Sequence, residues 1–527
     1  MIRRIHPLVL TTILLLIQLV LFLFLSTRPQ RLAPSDRMYP PVGYGYYYIN
    51  VMRQSIDGAW NVRDPGTTRP VLPARIYTFF TALGKLAKIT RADPILVYEI
   101  SHISGGVALF FATYWFISNL LPAQYRLFAI ILSLAYEVTP FGDIGFWSQA
   151  YNLIPHHFGL PHHVWGEVFG MLSFGLLLSM RKKTTLPGML LLFVLGFIAT
   201  ETLPSYMFIV AIPVFGTLFL YGLLKGSVRQ MFQPAIVLAA AIAIAGLLLK
   251  VEFSKGLPYT NFAATEKSWT NAGLLTPGYL QTLLVYVPFM LMLVVAAVKK
   301  WSAWTSNIQF VIALCVAWIL TPLIGMRMAA YDWFPMASWR LIEGHQYLPL
   351  GILSAIGIAE GVSLISDNAK KQFAKFIILT AIVLYSGYAT TVYSMKKIEA
   401  QNQMPVESYP LKSTMKAVYF VDSLPKHSGI MALQPMGEML PGFANITIFI
   451  DGPTGYTDWH ERKELARQFF TGTMTETEAK SLLSNNGVDY VFYGPDERAI
   501  SGNSPLYPGF LKEIFTTASV TIFSYQK

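Results

Sequence analysis

The segment IPHHFGLPHHVWGE, residues 154–167, carries four of the nine histidines of the chain as two His-His pairs, each beside a proline. Zinc sites recruit His at i and i+4 on a helix, or His with Cys or a carboxylate, and this pattern matches none of the specific zinc signatures. In an extended segment adjacent side chains point to opposite sides, so at most one imidazole of each pair would face a common ion. The imidazoles fit better as hydrogen-bond partners of a phosphate or a sugar hydroxyl, or as interfacial structure. His162 and His163 are the pair nearest the apolar run that follows. A second group, Arg340, Glu343 and His345, sits in YDWFPMASWRLIEGHQYLP, residues 331–349, among aromatic residues able to stack on a sugar ring. A guanidinium there can hold a phosphate through two parallel hydrogen bonds. The competing reading is an interfacial belt of Trp333, Trp339 and Tyr347 with a snorkelling arginine. Glu99 and His102, three apart, share one helix face. Between residues 35 and 70 the carboxylates are Asp36, Asp57 and Asp64. Asp57-Gly58 and Asp64-Pro65-Gly66 have turn chemistry. Asp36 is therefore the favoured carboxylate to act as general base on a hydroxyl or to help bind a metal.

The elements that must position these groups are set by composition. Of 527 residues, 54% are hydrophobic and only 13% charged, which points to a polytopic membrane protein. The net charge of +11 comes without any nucleic-acid-binding motif, and many of the cations sit in short clusters between apolar runs. The single cysteine, Cys315, excludes an intrachain disulfide and a thiolate metal cluster. No cofactor is indicated, although a divalent cation is chemically compatible with the carboxylates.

About eleven spans are expected, near 7–26, 95–121, 125–141, 163–180, 186–201, 204–224, 232–251, 277–298, 305–326, 347–366 and 375–394. With a cytoplasmic N-terminus, the inner side carries Arg3, Arg4, Arg126, Arg181, Lys182, Lys183, Lys225, Arg229, Lys299, Lys300, Lys370, Lys371 and Lys375. Short outer loops carry few cations, as the positive-inside rule requires. Asp36 then follows the first span by about ten residues, on the outer side. The large loop 27–94 includes an amphipathic stretch, residues 74–89, suited to a membrane surface. Domain boundaries are expected at 1–394 for the transmembrane part and 395–527 for a soluble extracytoplasmic α/β domain. There SGIMALQP, FANITIFI, VDYVFYG and VTIFSYQK read as strands, and ERKELARQFFTG and TETEAKSLLSNNG as helices. Thr475 or Thr477 can cap the second helix, and Gly487 stops it.

A first span followed by a long outer loop with an early acidic residue, large loops on that same side, WRLIEGHQYLP entering a late span and a soluble C-terminal segment together resemble the GT-C superfamily of membrane glycosyltransferases. The segments YYYINVMRQSIDGAW, LPHHVWGEV and GYTDWHERKELARQFFTG resemble uncharacterised bacterial proteins of this kind. The resemblance implies a polyprenyl-phosphate sugar donor, a lipid, glycan or protein acceptor, and inversion at the anomeric carbon. It implies Asp36 as the base and Arg340 as the group steadying the lipid phosphate. Asp36-Arg37-Met38-Tyr39 fits the superfamily's acid-x-x-Tyr arrangement loosely, and GYGYYY, residues 43–48, has no acid. Two rival classes stand beside this one. A secondary transporter should show two related halves with broken helices and midplane polar groups. No such halves are evident, and Glu360 is the exception to ionisable residues gathering at the outer ends. A non-catalytic membrane scaffold with an external partner-binding domain is the third class.

Overall fold

The computed structural model of the protein describes residues 31–38, 45–134, 160–181, 183–225, 229–261, 272–331, 340–341, 347–403, 409–450, 458–502 and 506–526, with isolated positions before residue 31. The outer loop forms helices α1 (Tyr46–Ile56) and α2 (Thr78–Thr90). A long helical run follows: α3 (Pro94–Leu120), α4 (Ala123–Leu134), α5 (Pro161–Ser179), α6 (Leu186–Thr202), α7 (Pro204–Lys225), α8 (Phe232–Phe253), α9 (Ala272–Lys300), α10 (Ser306–Ala330), α11 (Tyr347–Ser363) and α12 (Asn368–Asn402). The last part alternates: α13 (Lys412–Val421), β1 (Gly429–Met431), α14 (Met436–Phe443), β2 (Thr447–Ile448), α15 (Trp459–Thr471), α16 (Glu476–Asn485), β3 (Tyr490–Tyr493), α17 (Pro495–Ser501), β4 (Leu511–Thr516) and β5 (Thr521–Tyr525). These elements make two compact units. One comprises Met1–Thr27, Ser101–Leu248 and Lys267–Gln401; the other comprises Arg28–Ile100, Leu249–Glu266 and Asn402–Lys527.

The first unit is a helical bundle. Among the described residues, five helical stretches are long and apolar enough to cross a membrane: Pro94–Leu120, Pro204–Leu224, Phe232–Phe253, Leu284–Ala303 and Ser306–Ala329. Three shorter apolar helices, α4, α6 and α11, accompany them. Leu224, Ile236 and Val298 are 76%, 67% and 84% exposed, so apolar flanks are left for lipid rather than for the protein interior. With lipid outside, apolar burial drives helix association only weakly, and close backbone approach at small residues takes its place. On α11, a Cβ at Gly357 would overlap the Phe289 carbonyl of α9, and one at Gly351 would overlap the Ser133 hydroxyl of α4. On α5, a Cβ at Gly166 would overlap Leu203. Helix starts follow local chemistry. Pro161 opens α5 after an extended Leu160, and the Thr185 hydroxyl accepts from Gly188 N–H to cap α6.

The second unit is built on a five-stranded sheet in the order β2-β1-β3-β5-β4. The pairs of β1 with β2 and with β3 are parallel, while β5 runs antiparallel to both β3 and β4. The Thr475 hydroxyl and Glu478 form a capping box at the start of α16, and Gly487 turns the chain at φ +64°. The outer loop belongs to this unit. Asn50 of α1, fully buried, donates through Nδ2 to the carbonyls of Pro441, Ala444 and Ile446 at 3.2, 3.0 and 3.3 Å. Arg53 Nε donates to Gly442 O at 2.9 Å. Arg462 of α15 donates to the Thr67 hydroxyl at 3.1 Å, and the Ile448 N–H donates to Pro65 O at 2.9 Å. The tyrosine-rich start of α1 forms an aromatic cluster: Tyr48 stacks on Phe80 at 4.3 Å, and Tyr47 meets Tyr77 edge-on at 5.4 Å.

Candidate functional site

Asp36 lies in an exposed turn whose backbone is fixed on both sides. Lys412 N–H donates to Asp36 O at 2.9 Å, Met38 N–H donates to Pro410 O at 3.1 Å, and Arg37 donates to Tyr409 O at 2.8 Å. Arg37 and Leu411 thereby form an isolated antiparallel bridge, which holds the main chain while the Asp36 carboxylate remains open to solvent. A rigid backbone under an accessible carboxylate suits a group that must meet a substrate.

The other two aspartates between residues 35 and 70 have local partners. Asp57 sits at the C-cap of α1, paired with Lys426 and accepting from Asn445 Nδ2 at 2.7 Å. Burial pushes its carboxyl up, but the Lys426 and Asn445 hydrogen bonds outweigh that and hold it below the usual carboxylate range. Asp64, 3% exposed, accepts from Gly66 N–H at 2.7 Å, the side-chain turn its Pro-Gly sequel suggests. Its surroundings were not legible from that motif. Burial first, then the Asp64 charge, raise the phenols of Tyr47 and Tyr77 well above their usual range. The carboxylate thus sits in a tyrosine-lined interior.

In the helical unit, His162 and His163 occupy the first turn of α5 rather than an extended segment. Neighbouring residues on a helix diverge by about 100°, not 180°. The two rings pack edge-on with centroids 4.3 Å apart, so the expectation of opposite-pointing imidazoles is corrected for this pair. His156 and His157 lie outside the described residues. One turn on from His163, on the same face of α5, comes Glu167, fully buried. Tyr206 and Tyr347, also buried, both lie within electrostatic range of Glu167. A carboxylate on an apolar bundle helix is a functional candidate by default. Glu167 closes the IPHHFGLPHHVWGE segment, and its i+4 spacing from His163 is the signal that singles it out.

Glu99 and His102 fall on α3, half-buried and buried. Arg340 is half-buried in a short turn whose Leu341 packs on Gly325 of α10. Glu343, His345 and Tyr39 lie outside the described residues. Among the described residues, no group of three His, Cys, Asp or Glu is placed to hold a metal ion. Glu360 belongs to neither cluster. Near the C-terminal end of α11, it accepts from the Tyr125 hydroxyl at 2.6 Å and from Trp304 Nε1 at 3.3 Å, and it pairs with Lys300 at 3.7 Å. These contacts tie the carboxylate of Glu360 into an ion pair at the end of a helix.

No protein-family model and no curated protein matches the sequence. Solved structures match in fold. The oligosaccharyltransferase of Archaeoglobus fulgidus, tethered with an acceptor peptide containing the NVT sequon, aligns at TM-score 0.51 and 14% identity over 98% of this chain and 74% of that one. ArnT of Cupriavidus metallidurans, bound to undecaprenyl phosphate, aligns at TM-score 0.50 and 11% identity over 97% of each chain. The arabinofuranosyltransferase AftD from Mycobacteria aligns at TM-score 0.52 and 12% identity over 98% of this chain and 41% of that one. The chain has the GT-C fold. Coverage of 97% in both directions means that the outer loop and the last 120 or so residues are part of the matched GT-C architecture as well as the helices.

Proposed function

We propose that the protein is a membrane glycosyltransferase that moves a sugar from a polyprenyl-phosphate-linked donor to an acceptor on the extracytoplasmic face, with inversion. The observation that carries this reading is the fold likeness over 97% of both chains to ArnT solved with undecaprenyl phosphate. Asp36 takes the proton of the acceptor hydroxyl as its oxygen attacks the anomeric carbon. The bond from that carbon to the phosphate oxygen breaks, and the electron pair leaves with the phosphate. Arg340 stabilises the departing lipid phosphate, whose negative charge grows through an oxocarbenium-like transition state. Tyr39, Glu343, His345, Glu99, His102, His162 and His163 are the residues proposed to bind the substrates. Their aromatic and imidazole groups stack on or hydrogen-bond the sugar.

This reading rests on about eleven transmembrane helices, a cytoplasmic N-terminus and an extracytoplasmic α/β domain over residues 395–527. The test is a panel of polyprenyl-phosphate sugars incubated with purified protein, scored by the anomeric configuration of the product. An inverted product from one donor supports the proposal. Retention of configuration overturns the direct-attack mechanism, and sugar uptake into liposomes without release of lipid phosphate overturns the transferase itself.

A further inference from the structure

The helical unit carries a cavity of about 270 Å³ at the end of α5 opposite His162 and His163. At 1.5 Å per residue the two ends of α5 are roughly 27 Å apart. Here α3 and α5 end while α4 and α10 begin, so two helix N-termini offset two C-termini. The lining includes Arg126, Arg181, Ser118 and Asn307, and no carboxylate is among its lining residues.

The two arginines are held for different purposes. Arg126 donates from Nε to Leu121 O at 2.9 Å and from a terminal nitrogen to Ser118 O at 2.8 Å, which closes the C-terminus of α3. Arg181 donates from one terminal nitrogen to the Asn307 side chain, and each half-buried guanidinium keeps further N–H groups at the cavity. The Ser118 hydroxyl is buried and finds no hydrogen-bond partner among the described residues. A buried hydroxyl with no partner among the described residues, beside two cations in a cavity with space for several waters, has the chemistry to receive an anion.

From this we infer that the cavity binds the phosphate of an anionic lipid headgroup. Two guanidiniums suit the two free oxygens of a phosphodiester, and the Ser118 hydroxyl supplies a further donor. The volume holds a phosphate with the first atoms of its headgroup and not a whole sugar-lipid donor. Cationic clefts between membrane helices at the inner face recognise anionic headgroups in this way, and Arg181 opens the Arg-Lys-Lys run assigned to that face. The site is separate from the groups proposed for sugar transfer, so it stands or falls independently of them.

The test measures thermal stability of the full-length protein in detergent with water-soluble short-chain phosphatidylglycerol, short-chain phosphatidylcholine or inorganic phosphate. Ligand that binds only the folded protein raises the melting temperature in proportion to ln(1 + [L]/Kd). Phosphatidylglycerol is expected to stabilise the wild type, phosphatidylcholine to have little effect, and the apparent Kd to rise about tenfold in Arg181→Gln and several-fold in Ser118→Ala. An equal shift with inorganic phosphate supports the phosphate site and assigns it to the free anion; a shift with the lipid alone supports the headgroup. No shift, equal shifts with both lipids, or unchanged shifts in both variants overturn the inference. Ser118→Ala disturbs no hydrogen bond, so it decides the matter where Arg181→Gln fails to fold.

Discussion

Replacing Asn50 with leucine probes what joins α1 to the segment around α14. The side chain is fully buried, and its amide serves three carbonyls while its Oδ1 accepts from Gln54 Nε2 at 2.8 Å. Leucine keeps the same branched skeleton with no polar atoms, so it removes the hydrogen bonds with only a modest increase in bulk. Two amide protons cannot fully satisfy three carbonyls, so the loss is smaller than three independent bonds. Buried groups left unpaired cost about 1–3 kcal/mol each, giving about 2–4 kcal/mol overall. For a unit of this size each kcal/mol moves the melting temperature by roughly 2–4 °C, so a drop of about 5–15 °C is expected. The assay is a thermal scan of the full chain in detergent, paired with trypsin digestion under native conditions to locate the opening. Cleavage should accelerate between residues 402 and 450, while exposed Lys416→Gln behaves as wild type within about 0.5 kcal/mol. An Asn50→Leu protein that melts within about 2 °C of wild type would refute the reasoning, because the amide would then contribute nothing net.

Further predictions concern charge and close packing. Asp57 has a folded pKa below its unfolded one, so its contribution to stability is full above the ordinary carboxylate range and is lost as pH falls through the folded value. Asp57→Asn should therefore be less stable than wild type at pH 7, with the gap narrowing in acid; a gap independent of pH refutes this. Glu497 shows the opposite sign, since burial pushes it up to about 7 against backbone N–H donors at Leu433, Glu497 and Gly494. Stability should fall as pH rises from about 4.5 to 7, by about 3 kcal/mol at most. Glu497→Gln should flatten that slope in denaturation curves measured across the same range. Gly357→Leu would force a side chain into the Phe289 carbonyl and Leu293, so folded protein recovered by size-exclusion chromatography should drop several-fold, whereas Gly387→Leu, in open space, should not matter.

Local signals in the sequence translate well where one chemical cue decides the backbone. Thr475 with Glu478 three residues on marks the start of α16, Gly487 marks its end, and the apolar run of VDYVFYG becomes the paired strand β3. Other elements have weaker cues. β4, an edge strand with a register shift between Glu513 and Phe515, breaks the two-residue alternation that would reveal it. FANITIFI reads as one strand, but Phe443 closes α14 and only Thr447 and Ile448 pair as β2. The attachment of the outer loop to residues 402–527 is invisible locally. Asn50 and Ile446 are 396 positions apart, and nothing in the sequence neighbourhood of either advertises the other. The candidate site divides in the same way. The Asp64 turn follows from its Pro-Gly sequel, but the tyrosines around it come from separate stretches of chain. Glu167 is marked only by its i+4 spacing from His163, which matters once both are known to lie on one helix.

The release of polyprenyl phosphate from a polyprenyl-phosphate sugar is the most direct measurement of the proposed chemistry. Wild-type protein should release it with a matching gain of glycosylated acceptor, and Asp36→Asn should lower the rate by at least two orders of magnitude while melting as wild type does, because its carboxylate is exposed. An Asp36→Asn protein that turns over at the wild-type rate, or a folded wild-type protein that releases no lipid phosphate from any donor, would contradict it.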